Sequence, residues 1–161
     1  MKEDGFDIKK LRKFLVEAKK QTYANENVKK VDPVCPNSED YRYEKSGWVY
    51  YDMYFGGRKF IGEEVVYHGE GRPKWGMNYY GFTLNDDLTE EAVDKALRPA
   101  LMKVGEDTDT LPVRGPREFV NGEWRYTFMI KSSLSNFTGM EEISKNDEVV
   151  YRLHCHGGLI E

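Results

Sequence analysis

Residues 47–67 read GWVYYDMYFGGRKFIGEEVVY, two runs of aromatic and β-branched residues divided by a pair of glycines. Such residues suit a pleated, half-buried surface, and Gly56-Gly57 suits a tight reversal between antiparallel neighbours. Strands are therefore predicted near Trp48–Phe55 and Lys59–Tyr67. Toward the amino terminus, Lys45-Ser46-Gly47 links them to a strand near Tyr41–Glu44. Toward the carboxy terminus, a turn from Gly69 to Pro73 leads to a strand near Trp75–Thr83.

Helices flank this block. Asp7 can cap a first helix, with Phe6 and Leu11 placed to form a hydrophobic staple. Ile8, Leu11, Leu15 and Ala18 make its apolar stripe, which ends near Tyr23. Residues 25–40 contain Pro33, Pro36, Asn37 and Ser38 without periodicity and read as a crossing loop. A second helix starts at Thr89, carries Val93, Ala96, Leu97, Ala100, Leu101 and Val104 on one face, and ends at Gly105. Pro99 removes a backbone bond and is expected to kink this helix or split it after Leu97. Strands resume near Glu118–Val120, Trp124–Lys131, Phe137–Ile143 and Glu148–His154. The expectation is one α+β domain over residues 1–161, with about eight antiparallel strands and two helices.

The order helix, four strands, helix, four strands suggests two like units, about 6–84 and 88–158. Phe60, Gly62 and Glu64 form an FxGxE pattern that recurs 77 positions later as Phe137, Gly139 and Glu141. Trp48 and Trp124 lie 76 positions apart. Alternation along a strand places each glutamate on the apolar side of its strand, beside the phenylalanine of its motif. A carboxylate there needs a charged partner, strong donors or a raised pKa. Two readings follow: an acid–base pair, or two carboxylates each neutralised by a nearby group. Arg114, held between Pro112 and Pro116, suits clamping a ligand carboxylate or phosphate, and equally suits neutralising Glu64 or Glu141.

Composition limits the remaining possibilities. The net charge of −4 and pI of about 5.5 oppose non-specific nucleic-acid binding. Residues 1–30 nevertheless hold nine basic against five acidic side chains, which reads as a solvated helix face or a contact for an acidic partner. Cys35 and Cys155 form no disulfide framework, and no apolar run reaches membrane-spanning length, so a cytoplasmic location is expected. No phosphate-binding loop, GxSxG elbow, HExxH or helix-turn-helix pattern occurs, and no cofactor is expected. His154 and His156 share a strand face, a possible metal arrangement lacking a clear third ligand. Cys155 points the opposite way and reads as a buried thiol. Asn78 and the aromatic run around Tyr79 can orient and stack a flat ligand, or Trp75, Met77 and Tyr79 can simply be core.

FLVEAKKQTYA (14–24), FIGEEVV (60–66), WGMNYYG (75–81), RGP (114–116), FTGMEEI (137–143) and HGG (156–158) together resemble a bacterial family of unknown function. That family occurs as stand-alone proteins and as the carboxy-terminal half of some XRE-type helix-turn-helix regulators. The resemblance covers almost the whole chain and implies a correspondence for Glu63, Glu64, Trp75, Asn78, Tyr79, Arg114, Gly139, His156 and Gly157. His154 and Cys155 depart from the family motif. The chain begins on the domain's own helix, so a regulatory role is expected to need a partner. The leading expectation is a ligand-binding or sensory module using Glu64, Asn78, Tyr79, Arg114, Glu141 and His156. The alternatives are a small enzyme with Glu64, Glu141 and His156 as acid and base, and a protein-interaction module. A small molecule or a protein is the expected partner, with no direct nucleic-acid or membrane binding.

Overall fold

Asp7 caps the first helix as its position predicts: its side chain accepts a hydrogen bond from the Lys9 backbone N–H at 2.8 Å, in a computed structural model that describes residues 6–161. The helix α1 spans Ile8–Lys20, shorter than the periodicity predicted. Beyond it the chain turns as far as Ala24, since the Gln21 N–H is shared between the Glu17 and Ala18 carbonyls. Four strands follow: β1 (Glu39–Lys45), β2 (Trp48–Gly56), β3 (Lys59–His68) and β4 (Arg72–Thr83). Then come α2 (Glu90–Leu101), β5 (Glu118–Asn121), β6 (Trp124–Ser133), β7 (Asn136–Lys145) and β8 (Glu148–Leu159).

α2 does not split after Leu97 but continues through Pro99 to Leu101. Pro99 lies in the last turn, where its missing N–H frees only the carbonyl of the solvent-exposed Lys95. β4 and β8 are also longer than predicted. β4 starts at Arg72, so Pro73 lies inside a strand, beside a register shift at Val66/Tyr67. β8 runs past His154 to Leu159 because its glycine end still pairs with β4.

The strands form one antiparallel sheet in the order β1-β2-β3-β4-β8-β7-β6-β5, open at β1 and β5. Hairpins join sequence neighbours, and two of them use pairs of residues with positive φ. Ser46 and Gly47 have φ of 53° and 79°, and Asn146 and Asp147 have 49° and 65°, the hand that matches strand twist. β4 and β8 join the two sets at the centre, with Tyr79 opposite Cys155. The register shift between β3 and β4 at Val66/Tyr67 has a counterpart between β7 and β8 at Ile143/Ser144.

Both helices cover one face of the sheet. Leu11, Phe14, Leu15 and Ala18 of α1 and Val93, Ala96, Leu97 and Ala100 of α2 share one core with Tyr50, Val66, Trp75, Met77, Tyr126, Phe128 and Phe137. Each large apolar side chain buried there contributes about 1.5–3 kcal/mol. Among the described residues no helix covers the other face, and Ile61, Tyr80 and Met129 stand exposed on it. Among the described residues no helix is long and apolar enough to cross a membrane.

Candidate functional site

The two FxGxE motifs place Glu64 on β3 and Glu141 on β7, both on the helix-covered face, at 2% and 0% exposure. Burial on that scale demands partners. Lys19, one turn beyond Leu15 on α1, meets Glu64 at 2.5 Å, and both side chains are buried. Arg114 forms a two-pronged pair with Glu141, its Nε and Nη2 donating at 2.8 and 2.7 Å. The hydroxyls of Tyr126 and Tyr151 donate to the same carboxylate at 2.6 and 3.0 Å. Burial disfavours the Arg114 charge, but Glu141 outweighs it and holds the guanidinium pKa above its ordinary value. The 112–116 loop is buried throughout, and Gly115 donates its N–H to the Tyr126 hydroxyl at 2.8 Å. Neutralising Glu141 is thus the role that Arg114 has in this structure.

Another buried carboxylate, beside Glu64, escaped the sequence reading. Asp52 on β2 lies directly across from Glu64 and is 4% exposed. Its parity with Trp48 and Tyr50 on the core-facing side of β2 was the available signal. Tyr79 donates its hydroxyl to Asp52 at 2.6 Å, and among the described residues no cation reaches Asp52 within ion-pair distance. Burial, then the neighbouring Glu64 charge, pushes its carboxyl up to about 7, against the lowering effect of the Tyr79 bond and of Lys19 and Arg114 farther off. Burial and the charges of Asp52 and Glu64 likewise raise the Tyr79 phenol well above its ordinary value.

The position facing Glu141 across β6 and β7 is Phe128, and the β8 residue paired with Gly139 is Cys155. The corresponding residues around Glu64 are Asp52 and Tyr79. An apolar ring and a thiol therefore satisfy the core at one FxGxE motif, where a hydrogen-bonded acid and phenol stand at the other. Burial pushes the Cys155 thiol up to about 12, which keeps it protonated and unreactive.

Gly62 makes the Asp52–Tyr79 contact possible. The Tyr79 ring crosses β3 over Gly62 to reach β2, and a Cβ at Gly62 would overlap that ring and lie 2.7 Å from the Met53 carbonyl oxygen. Gly62→Ala is expected to displace Tyr79, break its bond to Asp52 and lower stability by about 1–3 kcal/mol. Urea unfolding would measure this, and a stability equal to wild type would remove the close approach from the account.

Asp52, Tyr79 and Arg114 also line a cavity of about 40 Å³ between α2 and the sheet. Tyr54, Phe60 and Tyr151 come from the sheet, Val93, Leu97 and Glu90 from α2, and Gly57 and Arg58 from the turn between β2 and β3. A neighbouring cavity of about 20 Å³ shares Tyr23, Asp52 and Arg114 and adds Lys19 and Glu64. One water needs about 10–15 Å³ measured this way, so the larger cavity has room for a few waters or a small polar fragment.

The six candidate residues from the sequence divide between the two faces. Glu64, Tyr79, Arg114 and Glu141 are on the covered face. Asn78 and His156 are exposed and pair with each other across β4 and β8 on the open face. There they line a shallow groove of about 450 Å³ with Met53, Ile61, Glu63 and His154. His156 is thus separated by the sheet from both glutamates. His68 stacks on Trp48 with ring centroids 4.1 Å apart, and among the described residues no three ligands are grouped to hold a metal.

A protein-family model described as Domain of unknown function (DUF5680) matches residues 52–160. The chain belongs to this family. The DUF5680 match takes in Asp52, both FxGxE motifs, α2 and the Arg114 loop, while α1, which supplies Lys19, and the turn after it, which supplies Tyr23, precede it. No curated protein and no solved structure matches the chain.

Proposed function

We propose that this DUF5680 protein is a small-molecule-binding module whose ligand occupies the cavity between α2 and the sheet. The observation that carries the reading is Asp52, a buried carboxylate with one phenol donor and no paired cation, lining that cavity. Elsewhere in the core each buried glutamate has its own cation. A buried acid left with so little compensation costs stability, and a ligand that completes its hydrogen bonding recovers it. Tyr79 and Arg114 border the same space, while Glu64 and Glu141 hold Lys19 and Arg114 in place behind it.

Thermal-shift screening of a metabolite library against wild type and Asp52→Asn tests this. A ligand at one hundred times its Kd adds about 2.7 kcal/mol, a rise of roughly 5–10 °C in Tm for a chain of this size. The shift is expected in wild type and lost in the variant. A library without any stabiliser that depends on Asp52 would remove the proposal. A second reading, acid–base catalysis, draws support from the same carboxyl changing charge near neutral pH beside a phenol. A stabiliser that is chemically altered on incubation with wild type and survives with Asp52→Asn would favour it.

We also infer that the helix-plus-four-strand units are copies. The palindromic strand order, the two register shifts and the recurrence of Tyr50 and Glu64 as Tyr126 and Glu141 support this. A bacterial, cytoplasmic setting and a sensory link to XRE-type regulators belong to the same proposal. The two free cysteines fit a reducing compartment.

A further inference from the structure

We propose that the cavity selects a small organic cation, an alkyl or methylated amine whose nitrogen pairs with Asp52. This rests on the ligand-binding reading above and adds to it the charge and class of the ligand. Carboxylates of Asp52, Glu90 and Asp94 border the cavity, against the guanidiniums of Arg58 and Arg114. Both guanidiniums are already engaged, Arg58 with Asp86 at 3.0 Å and Arg114 with Glu141. Asp94 has Arg98 and the Tyr23 hydroxyl, whereas Asp52 and Glu90 form no ion pair among the described residues. The uncompensated charge around the space is therefore negative. An anionic ligand would find no free cation and would face Asp52 directly.

The aromatic lining points the same way. Ring faces attract cations through their quadrupoles, more strongly where water is excluded. Two tyrosines at the cavity already do this for the protein's own side chains, with Arg98 at 4.3 Å from the Tyr23 ring centroid and Arg114 at 5.9 Å from that of Tyr79. Tyr54, Phe60 and Tyr151 supply further rings at the same cavity. Val93 and Leu97 give the methyl surface that an alkyl chain would contact. At about 40 Å³ the space suits a short amine rather than a nucleotide or sugar.

The test is a titration of the full chain, carbon-13 labelled at its methyl groups, with n-butylamine, n-butanol and butyrate at about pH 8, where the amine is cationic. n-Butylamine is expected to shift the Val93 and Leu97 methyl resonances, and to bind at least ten-fold more tightly than n-butanol. Asp52→Asn is expected to abolish that preference. The comparison among the three compounds uses wild type alone, so it stands whether or not the variant folds. If n-butanol or butyrate binds at these methyls as tightly as the amine, the charge assignment is overturned while the ligand cavity remains. If none of the three perturbs them, the amine assignment also falls, and the library screen with Asp52→Asn decides the wider reading separately.

Discussion

Arg114→Met is expected to destabilise the protein by about 3–5 kcal/mol, the cost of leaving a buried carboxylate without its cation. Glu141 is fully buried, and Arg114 supplies two of the hydrogen bonds that hold it. Tyr126 and Tyr151 would still donate, but two neutral phenols cannot balance a full charge in a site closed to water. Urea denaturation gives the magnitude. The double variant Arg114→Met/Glu141→Leu should recover much of it, because removing both charges removes the unpaired one. A single variant within about 1 kcal/mol of wild type would show that the pair does not anchor the 112–116 loop.

Asp52 predicts an unusual pH dependence. Its carboxyl titrates at about 7 in the folded protein because of burial and the Glu64 charge, whereas an unfolded aspartate titrates near 3.8. Between these values the folded state holds a proton that the unfolded state has released. Stability therefore falls as pH rises through this window, by up to about 4 kcal/mol. The groups that set the effect are Glu64 on β3, Tyr79 on β4, Lys19 on α1 and Arg114 in its loop. Glu17 and Asp107, whose carboxyls are held low by hydrogen bonds from Lys45 and from the Arg117 N–H respectively, act in the opposite sense. Their contribution is lost only as pH falls below the ordinary carboxylate range. Chemical denaturation from pH 5 to 8 should thus show a decline in wild type that Asp52→Asn flattens. A wild-type profile as flat as that of the variant would mean that Asp52 is ionised throughout.

Asp52 also marks where reading the sequence reaches its limit. Period-two alternation was enough to place Glu64 and Glu141 on the apolar side of their strands and Asn78 and Tyr79 on opposite sides of theirs, while which side of β4 faces the core was left open. Alternation depends only on the local pleat, so a stretch of ten residues carries it. By the same parity Asp52 belonged with Trp48 and Tyr50, but parity alone does not show that it lies across from Glu64 and lacks a cation. His156 had a parity but no partner. Only the pairing of β4 with β8 sets it beside Asn78 on the open face and removes it from the glutamates.

The FxGxE motif shows the same division. Its residues determined by themselves that two glutamates would lie among apolar side chains, because adjacent pleats point opposite ways and the phenylalanine shares the glutamate's side. The cations that neutralise them lie 45 positions away in α1 and 27 away in a loop, as Lys19 and Arg114. No local rule links such distances. They close only when helix packing and hydrogen bonding between strands bring distant segments within 3 Å, and that tertiary step leaves Asp52 beside the cavity without a cation of its own.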